Sequence, residues 1–309
     1  FGQTYFIGVF GPQIQLEFSL SHTDWGGIYM IGTLASALLM PITGAMIDSY
    51  RLKQYALTVA SFLACSCAYI AFSPDLISLV IGIFLLRHFG QGLASHIGTT
   101  SMARYFKKER GRAIAFASLG YSVGQALLPL FAVVLISLFG WRSTYIIVGL
   151  LVFITLVPVT LFLLRHHDKF HADYFTNLVS SEELKNKYQS WTRNEMLCDF
   201  RFKLIIPGVL APPLIITALF FHHLTIADTK EWSREWLTGT YIFYAVTSAI
   251  IILVAGPLID RYKASKVIQI MLLPLAVGCF ILATVDSPLG AIPYMLMLGI
   301  HTGFSHTTI

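Results

Sequence analysis

Apolar residues run through this chain in stretches of about twenty, broken by short clusters of charged residues, glycine and proline. A hydrocarbon core of about 30 Å takes about 20 helical residues to cross. The pattern therefore predicts membrane-spanning helices at about 1–16, 25–47, 54–73, 76–101, 111–138, 142–165, 203–224, 237–259, 267–285 and 289–309. The first and last runs are short, so we expect a parent protein longer than this chain. Only one long polar stretch, Arg165 to Lys203, intervenes. It divides an N-terminal bundle (1–165) from a C-terminal one (203–309), with 166–202 as a cytoplasmic linker that holds a short surface helix.

Charge placement orients these spans. All but four of the 21 Lys and Arg fall in the segments 48–53, 102–112, 165–203 and 260–266, which the alternation puts on one side. The opposite loops hold Arg142, Lys230 and Arg234, and Arg87 lies inside a span. Basic residues are retained on the cytoplasmic side of membranes. The rich side is therefore expected to be cytoplasmic, in a bacterial inner membrane or a plasma membrane.

Composition narrows the class. The chain is 56% hydrophobic and 12% charged, with a mean hydropathy of +0.70, about half the charge of a soluble domain. The bilayer is the expected solvent. The net charge of +5 sits in loops and leaves no basic face for nucleic acid. Cys65, Cys67, Cys198 and Cys279 have neither disulfide nor zinc spacing. No span carries paired carboxylates, a nucleophile with a base, or a metal cluster, so neither an enzyme nor a cofactor is expected.

One signature occurs twice, about 210 residues apart, a spacing that points to a duplicated bundle. GAMIDSYR covers Gly44 to Arg51 and GPLIDRYK covers Gly256 to Lys263. Each closes an apolar run as Gly-x-x-x-Asp. A glycine lets helices approach closely, and an aspartate one turn later can meet helix N-termini or basic groups.

With the linker and loop sides, this duplication resembles the major facilitator superfamily across essentially the whole chain. RHFGQG (Arg87–Gly92) and GYSVGQALLP (Gly120–Pro129) are similar to its helix-four and helix-five motifs. ARYFKKERGRAIA (Ala103–Ala115) and SHTDWGGIYM (Ser21–Met30) are similar to its monocarboxylate-transporter-like and oxalate/formate-antiporter-like branches. The resemblance implies an all-α membrane protein of two pseudo-symmetric six-helix bundles, here truncated to about ten transmembrane helices. It implies that Asp48 and Asp260 lock the bundles in an outward-open state, with Gly44, Arg51, Gly256 and Arg261 as the rest of the gate. The chain departs from the pattern at Ser49 and Arg51. Tyr5, a candidate substrate contact, stands where monocarboxylate transporters carry a helix-one lysine, and Leu237 to Ile259 holds no charge. Their proton mechanism therefore does not carry over.

Arg87 is the sharpest candidate for substrate contact. A central Arg costs about 2.5–3.5 kcal/mol to insert even on the lower scales, so it should face a wet cavity or a partner. No Asp or Glu lies well inside a span, and a guanidinium without one suits a carboxylate or phosphate. The rival is a structural Arg bonded to backbone carbonyls. Gln91 shares its face one turn on. His301 falls opposite Gln91 across the duplication, as His306 does to His96, and histidine titrates near neutral pH; packed histidines are the alternative. His222 and His223 point about 100° apart and make a poor metal site, with a cavity rim or interfacial packing as the options. Tyr121, Gln125, Tyr241 and Tyr244 are polar contacts on spans five and eight, or core. The expected function is a secondary active or facilitative transporter of a small organic anion, working by alternating access as a monomer, with a coupled proton or counter-anion. The alternatives are a carrier of a neutral solute such as a sugar, or a membrane receptor or sensor on the same fold.

Overall fold

A computed structural model describes residues 1–105, 110–165, 193–262 and 264–308. Among the described residues the regular structure is helical throughout. Each expected span coincides with a helix. The N-terminal half contains α1 (Thr4–Glu17), α2 (His22–Ser49), α3 (Leu52–Ala71), α4 (Leu76–Leu86) with its continuation α5 (Ser95–Tyr105), and α6 (Arg110–Leu163). The C-terminal half contains α7 (Arg193–Cys198), α8 (Phe200–Phe221), α9 (His223–Thr229), α10 (Arg234–Gly239), α11 (Tyr241–Tyr262), α12 (Ala264–Thr284) and α13 (Ala291–Thr308). Of the expected linker, 166–192 lies outside the described residues.

The helix starts are written in short polar pairs. Ser21 and Asp24 cap α2 reciprocally, each side chain accepting the other's backbone N–H. Asp75 and Ser78 do the same for α4. Asp199 opens α8 by accepting from the N–H groups of Arg201 and Phe202. The 54 residues of α6 would make a rod of about 80 Å, far longer than a bilayer is thick. Gly140 breaks it with φ 76°, a left-handed conformation that only glycine takes without strain, so α6 supplies spans five and six. Between α4 and α5 the backbone widens into a π-helix, Arg87–Ala94. Such widenings concentrate at functional sites.

Six stretches among the described residues are long and apolar enough to cross a membrane: His22–Ser49, Leu52–Ala71, Leu76–Met102, Phe116–Leu163, Phe200–Phe221 and Arg234–Ala255. Large apolar side chains cover the outside of the molecule, among them Leu34, Leu38, Ile154 and Leu214. In water such a surface would aggregate; in lipid it costs nothing. The interior is aromatic, with Phe10 stacked on Tyr145 at 4.1 Å in the first half and Tyr241 and Tyr294 fully buried in the second.

The end poor in basic residues is tied together by ion pairs and indole hydrogen bonds. At the poor end, Arg142 pairs with Glu17 at 2.7 Å and also donates to the carbonyls of Ala71 and Ser73, joining α1, α3 and α6. Lys230 pairs with Asp286 at 2.7 Å, while the indoles of Trp232 and Trp236 donate to the carbonyls of Asp286 and Pro288. We call this end outer.

Candidate functional site

A cavity of about 450 Å³ lies between the halves. The first half contributes Gln3, Thr4 and Tyr5 from the start of α1, Gln91 and Thr99 from the span-four helix, and Tyr121 and Gln125 from α6. The second contributes Pro212, Phe220, Tyr244, His301, Thr302 and His306, among others. Six expected contacts therefore meet here: Tyr5, Gln91, Tyr121, Gln125, Tyr244 and His301. Every lining residue is formally uncharged, taking histidine as neutral.

Its hydrogen bonds tie the halves together. Gln125 Nε2 donates to the Tyr244 hydroxyl at 3.3 Å, and Tyr244 donates onward to Thr302 at 3.0 Å. Tyr121 donates to Gln3 Oε1 at 3.2 Å, and its ring meets His306 at 5.1 Å in a T-shaped contact. His301 Nδ1 lies 2.6 Å from the Met271 carbonyl. A carbonyl only accepts, so Nδ1 carries the proton and Nε2 keeps its lone pair in the neutral ring. The Oε1 atoms of Gln91 and Gln125 are buried without partners among the described residues. A buried acceptor left unpaired costs about 1–3 kcal/mol, which a solute donor or a water would recover.

Arg87 is placed behind this wall. It is 7% exposed and does not line the cavity. Its Nη1 donates to Thr4 Oγ1 at 3.2 Å and to the Gly2 carbonyl at 3.4 Å, and its Cζ sits 5.0 Å over the Tyr29 ring. Neighbouring His88, which the sequence reasoning passed over, is also buried. It bonds Ser36 through Nδ1 and Thr43 through Nε2. Thr43 already donates to the Leu39 carbonyl, so His88 Nε2 donates and Nδ1 accepts.

The remaining candidates fall elsewhere. His222 lines a separate outer cavity of about 410 Å³ with Gln15, His22, Trp25, Asp228 and Arg234. There the Arg234 guanidinium holds Asp228 in a two-bond fork at 2.9 and 2.8 Å and keeps its carboxyl below the usual range. Tyr241 is buried in the second half, bonded at 2.7 Å to His223, whose other nitrogen bonds Tyr294 at 2.7 Å. At the inner end, Gly44 is buried and its carbonyl accepts from His96 Nε2 at 3.2 Å, while Asp48 and Arg51 are exposed. The backbone of Gly256, Asp260 and Arg261 belongs to α11, but the side chains of Asp260 and Arg261 lie outside what the structure describes.

The outer side of the cavity is shut. Phe221 stacks on Trp25 at 5.6 Å and meets Tyr29 at 4.4 Å, bringing α8 onto α2. Gly8 of α1 lies against the backbone of Phe220 and Phe221, where an added Cβ would stand 3.0 Å from the Phe220 carbonyl. The cavity extends the other way, to Thr99, Val209 and Ser305 in the inner halves of their helices.

The profile for the Major Facilitator Superfamily matches residues 1–309. The chain belongs to that superfamily. It is an integral membrane protein by family and by its long apolar helices. Within the superfamily it is similar to human monocarboxylate transporter 11 and monocarboxylate transporter 6, at 24% identity over 143 residues in both cases. That stretch is 46% of this chain and only 30% and 28% of the two relatives. It is also similar to the multi-drug resistance efflux pump PmrA homolog of Lactococcus lactis subsp. lactis (strain IL1403), at 24% identity over 308 residues, which is 96% of this chain and 70% of that one.

Thr4, Gln3, Phe220 and Thr302 line the cavity without having been singled out in the sequence. A lone Thr or Gln at the edge of an apolar run carries no signal of its own. Only packing brings these residues together: Gln3 and Thr4 come from span one, against spans four and five, and Phe220 and Thr302 come from spans seven and ten of the other half.

Proposed function

We propose that this protein is an alternating-access carrier of a small organic anion, in a state with the outer end shut and the central cavity reaching toward the cytoplasm. The observation that carries the carrier reading is a solute-sized cavity with polar groups from both halves, beside a tight aromatic closure on one side only. The charge preference rests on Arg87, a buried guanidinium with no carboxylate in ion-pair range among the described residues. The word monocarboxylate in two relatives' names supports it.

One observation favours a second reading. The lining residues themselves are uncharged, which suits a neutral solute, with Arg87 as scaffold. The efflux-pump relative is compatible with such a cavity. His301, with no partner on Nε2 among the described residues, is the candidate for a coupled proton; Asp48 with Gly44 and Arg51, and the second copy around Asp260, are the candidates for the inner gate.

Binding and uptake test the proposal. The full-length protein is screened by thermal shift against two- to eight-carbon mono- and dicarboxylates, the matching sulfonates, their amides and simple sugars. Hits are then followed as uptake into proteoliposomes. The anion reading expects acids to bind at least tenfold more tightly than amides. Equal binding of acid and amide, or binding of sugars alone, favours the neutral-solute carrier. Binding without uptake overturns transport and favours a receptor.

A further inference from the structure

Arg87 cannot touch a solute from its present position, because Thr4 stands between it and the cavity. We propose that Thr4 is the residue that discriminates anionic from neutral solutes, and that Arg87 acts through it as a positioning residue; this rests on the anion reading above. The argument is a count of protons.

The guanidinium has only donors, so in the Arg87–Thr4 contact Thr4 Oγ1 accepts. The Tyr29 hydroxyl lies 2.7 Å from the same oxygen. Thr4 is the only hydrogen-bond partner of this hydroxyl among the described residues, and Tyr29 is 6% exposed. If Thr4 donated to Tyr29, the Tyr29 proton would be left buried without an acceptor, at a cost of about 1–3 kcal/mol. Tyr29 therefore donates to Thr4. Both lone pairs of Thr4 Oγ1 are now filled, one by a cation and one by a phenol.

What remains to Thr4 is its own proton, and Thr4 lines the cavity. It can donate and cannot accept. A carboxylate or sulfonate offers it a charged acceptor in any orientation, whereas an amide satisfies it only through its neutral carbonyl, in a weaker bond, and never through its N–H. Hydrogen bonds arriving from Arg87 and Tyr29 polarise the Thr4 O–H and strengthen what it donates. The charge of Arg87 thus reaches the solute through one hydroxyl while the guanidinium stays dry. Tyr5, next along α1, lines the same wall and its hydroxyl has no partner among the described residues, so it supplies a second donor beside the first.

The test measures binding of the acid and amide panel to the full-length protein in nanodiscs, for the wild type and four variants. Thr4→Ala should weaken acids at least tenfold and amides less than threefold. Thr4→Ser, which restores the hydroxyl, should return acid binding to within about threefold of wild type. Arg87→Gln should reproduce the loss for acids; adding Thr4→Ala to it should weaken them little further, because the two act as one unit. If Thr4→Ala does not fold, Thr4→Cys carries the same expectation, since a thiol is only a weak donor. Selective loss of acids in Arg87→Gln with none in Thr4→Ala overturns the Thr4 role and leaves the anion reading standing, with direct contact by the guanidinium. No preference for acids in the wild type overturns both.

Discussion

The outer and inner halves of the interface between the bundles are built from different materials. The outer half closes on dry contacts below its own polar cavity: Trp25, Tyr29 and Phe221 interleave, and Gly8 presses on the backbone of α8. The inner half is a cavity of largely apolar walls set with polar groups, bridged across the bundles by Gln125 with Tyr244 and Tyr121 with His306 among others. Aromatic pairs and close backbone contact gain dispersion energy without asking water to leave a polar group. A polar cavity gains little until a solute fills it. The difference teaches where the energy of the closed state resides: it is held at the outer end, and a solute acts at the other.

The strongest way to break that asymmetry is to crowd the dry side. Gly8→Val places atoms where the Phe220 and Phe221 carbonyls already stand at 3.0 and 3.3 Å from an ideal Cβ. Backbone cannot swing aside as a side chain does, so the cost should reach the upper end of overpacking, about 3 kcal/mol, or a shift of about 150-fold toward outer opening. Spin labels at Leu16 and Glu231, on opposite sides of the interface, read the result as a longer distance. An unchanged distance distribution with intact folding would mean that the outer half does not hold the state.

Removing packing should do less than adding it. Phe221→Ala deletes the two ring contacts that reach α2, each worth about 0.5–1.5 kcal/mol beyond area, so the same labels should report about 2 kcal/mol of opening. Phe62 stacks on Phe89 at 5.0 Å within the first bundle, away from the interface. Phe62→Ala is therefore the control and should lower stability without changing the distance. If both variants open the molecule equally, the asymmetry is one of general stability.

These two sites show what the sequence discloses. The spans were legible because a period of one helix per bilayer thickness is imposed by solvent, and the caps Ser21 and Asp75 sit where the apolar runs begin. The six cavity residues among the expected contacts were legible because polar side chains inside apolar spans are costly and collect together. Tyr241 was not separable from Tyr244: both are buried tyrosines on one helix, and only the partner, His223 or Gln125, distinguishes core from cavity. Arg87 was found but not its setting, because Thr4 and Tyr29 reach it from spans one and two. Gly8 carried no mark at all; its role is a distance to another helix.

On the polar side, Tyr244→Phe removes the hydroxyl that Gln125 and Thr302 share. A neutral hydrogen bond contributes about 1 kcal/mol net. The labels should therefore report a shift of about fivefold or less, smaller than that of Phe221→Ala. Solute should narrow the difference between Tyr244→Phe and wild type if it occupies the same wall. A Tyr244→Phe effect equal to that of Gly8→Val would place the energy of closure in the cavity and reverse the comparison.

The smallest effect belongs to the surface ties of the outer end. Glu17 accepts from Arg142 through Nε at 2.9 Å and Nη2 at 2.7 Å, and also from the Trp141 indole. The hydrogen bonds from Arg142, its charge and the Trp141 bond hold the Glu17 carboxyl below its ordinary value, against the opposing pull of burial. A depressed folded-state value means that the bridge contributes fully above the unfolded carboxylate range, near pH 4.3, and is lost as pH falls through the folded value. The pair is well exposed, at 34% and 43%, so solvent screening limits it to a fraction of 1 kcal/mol up to about 1. Glu17→Gln should therefore lower the melting temperature by a few degrees at most at pH 7, and by progressively less as the pH drops below about 4, where the wild type loses the same charge. Raising the salt to 1 M should shrink the pH 7 difference, since exposed charges are screened over about 3 Å there. A difference that persists unchanged at low pH would assign the contribution of Glu17 to packing rather than charge, because a glutamine oxygen can also accept from Trp141.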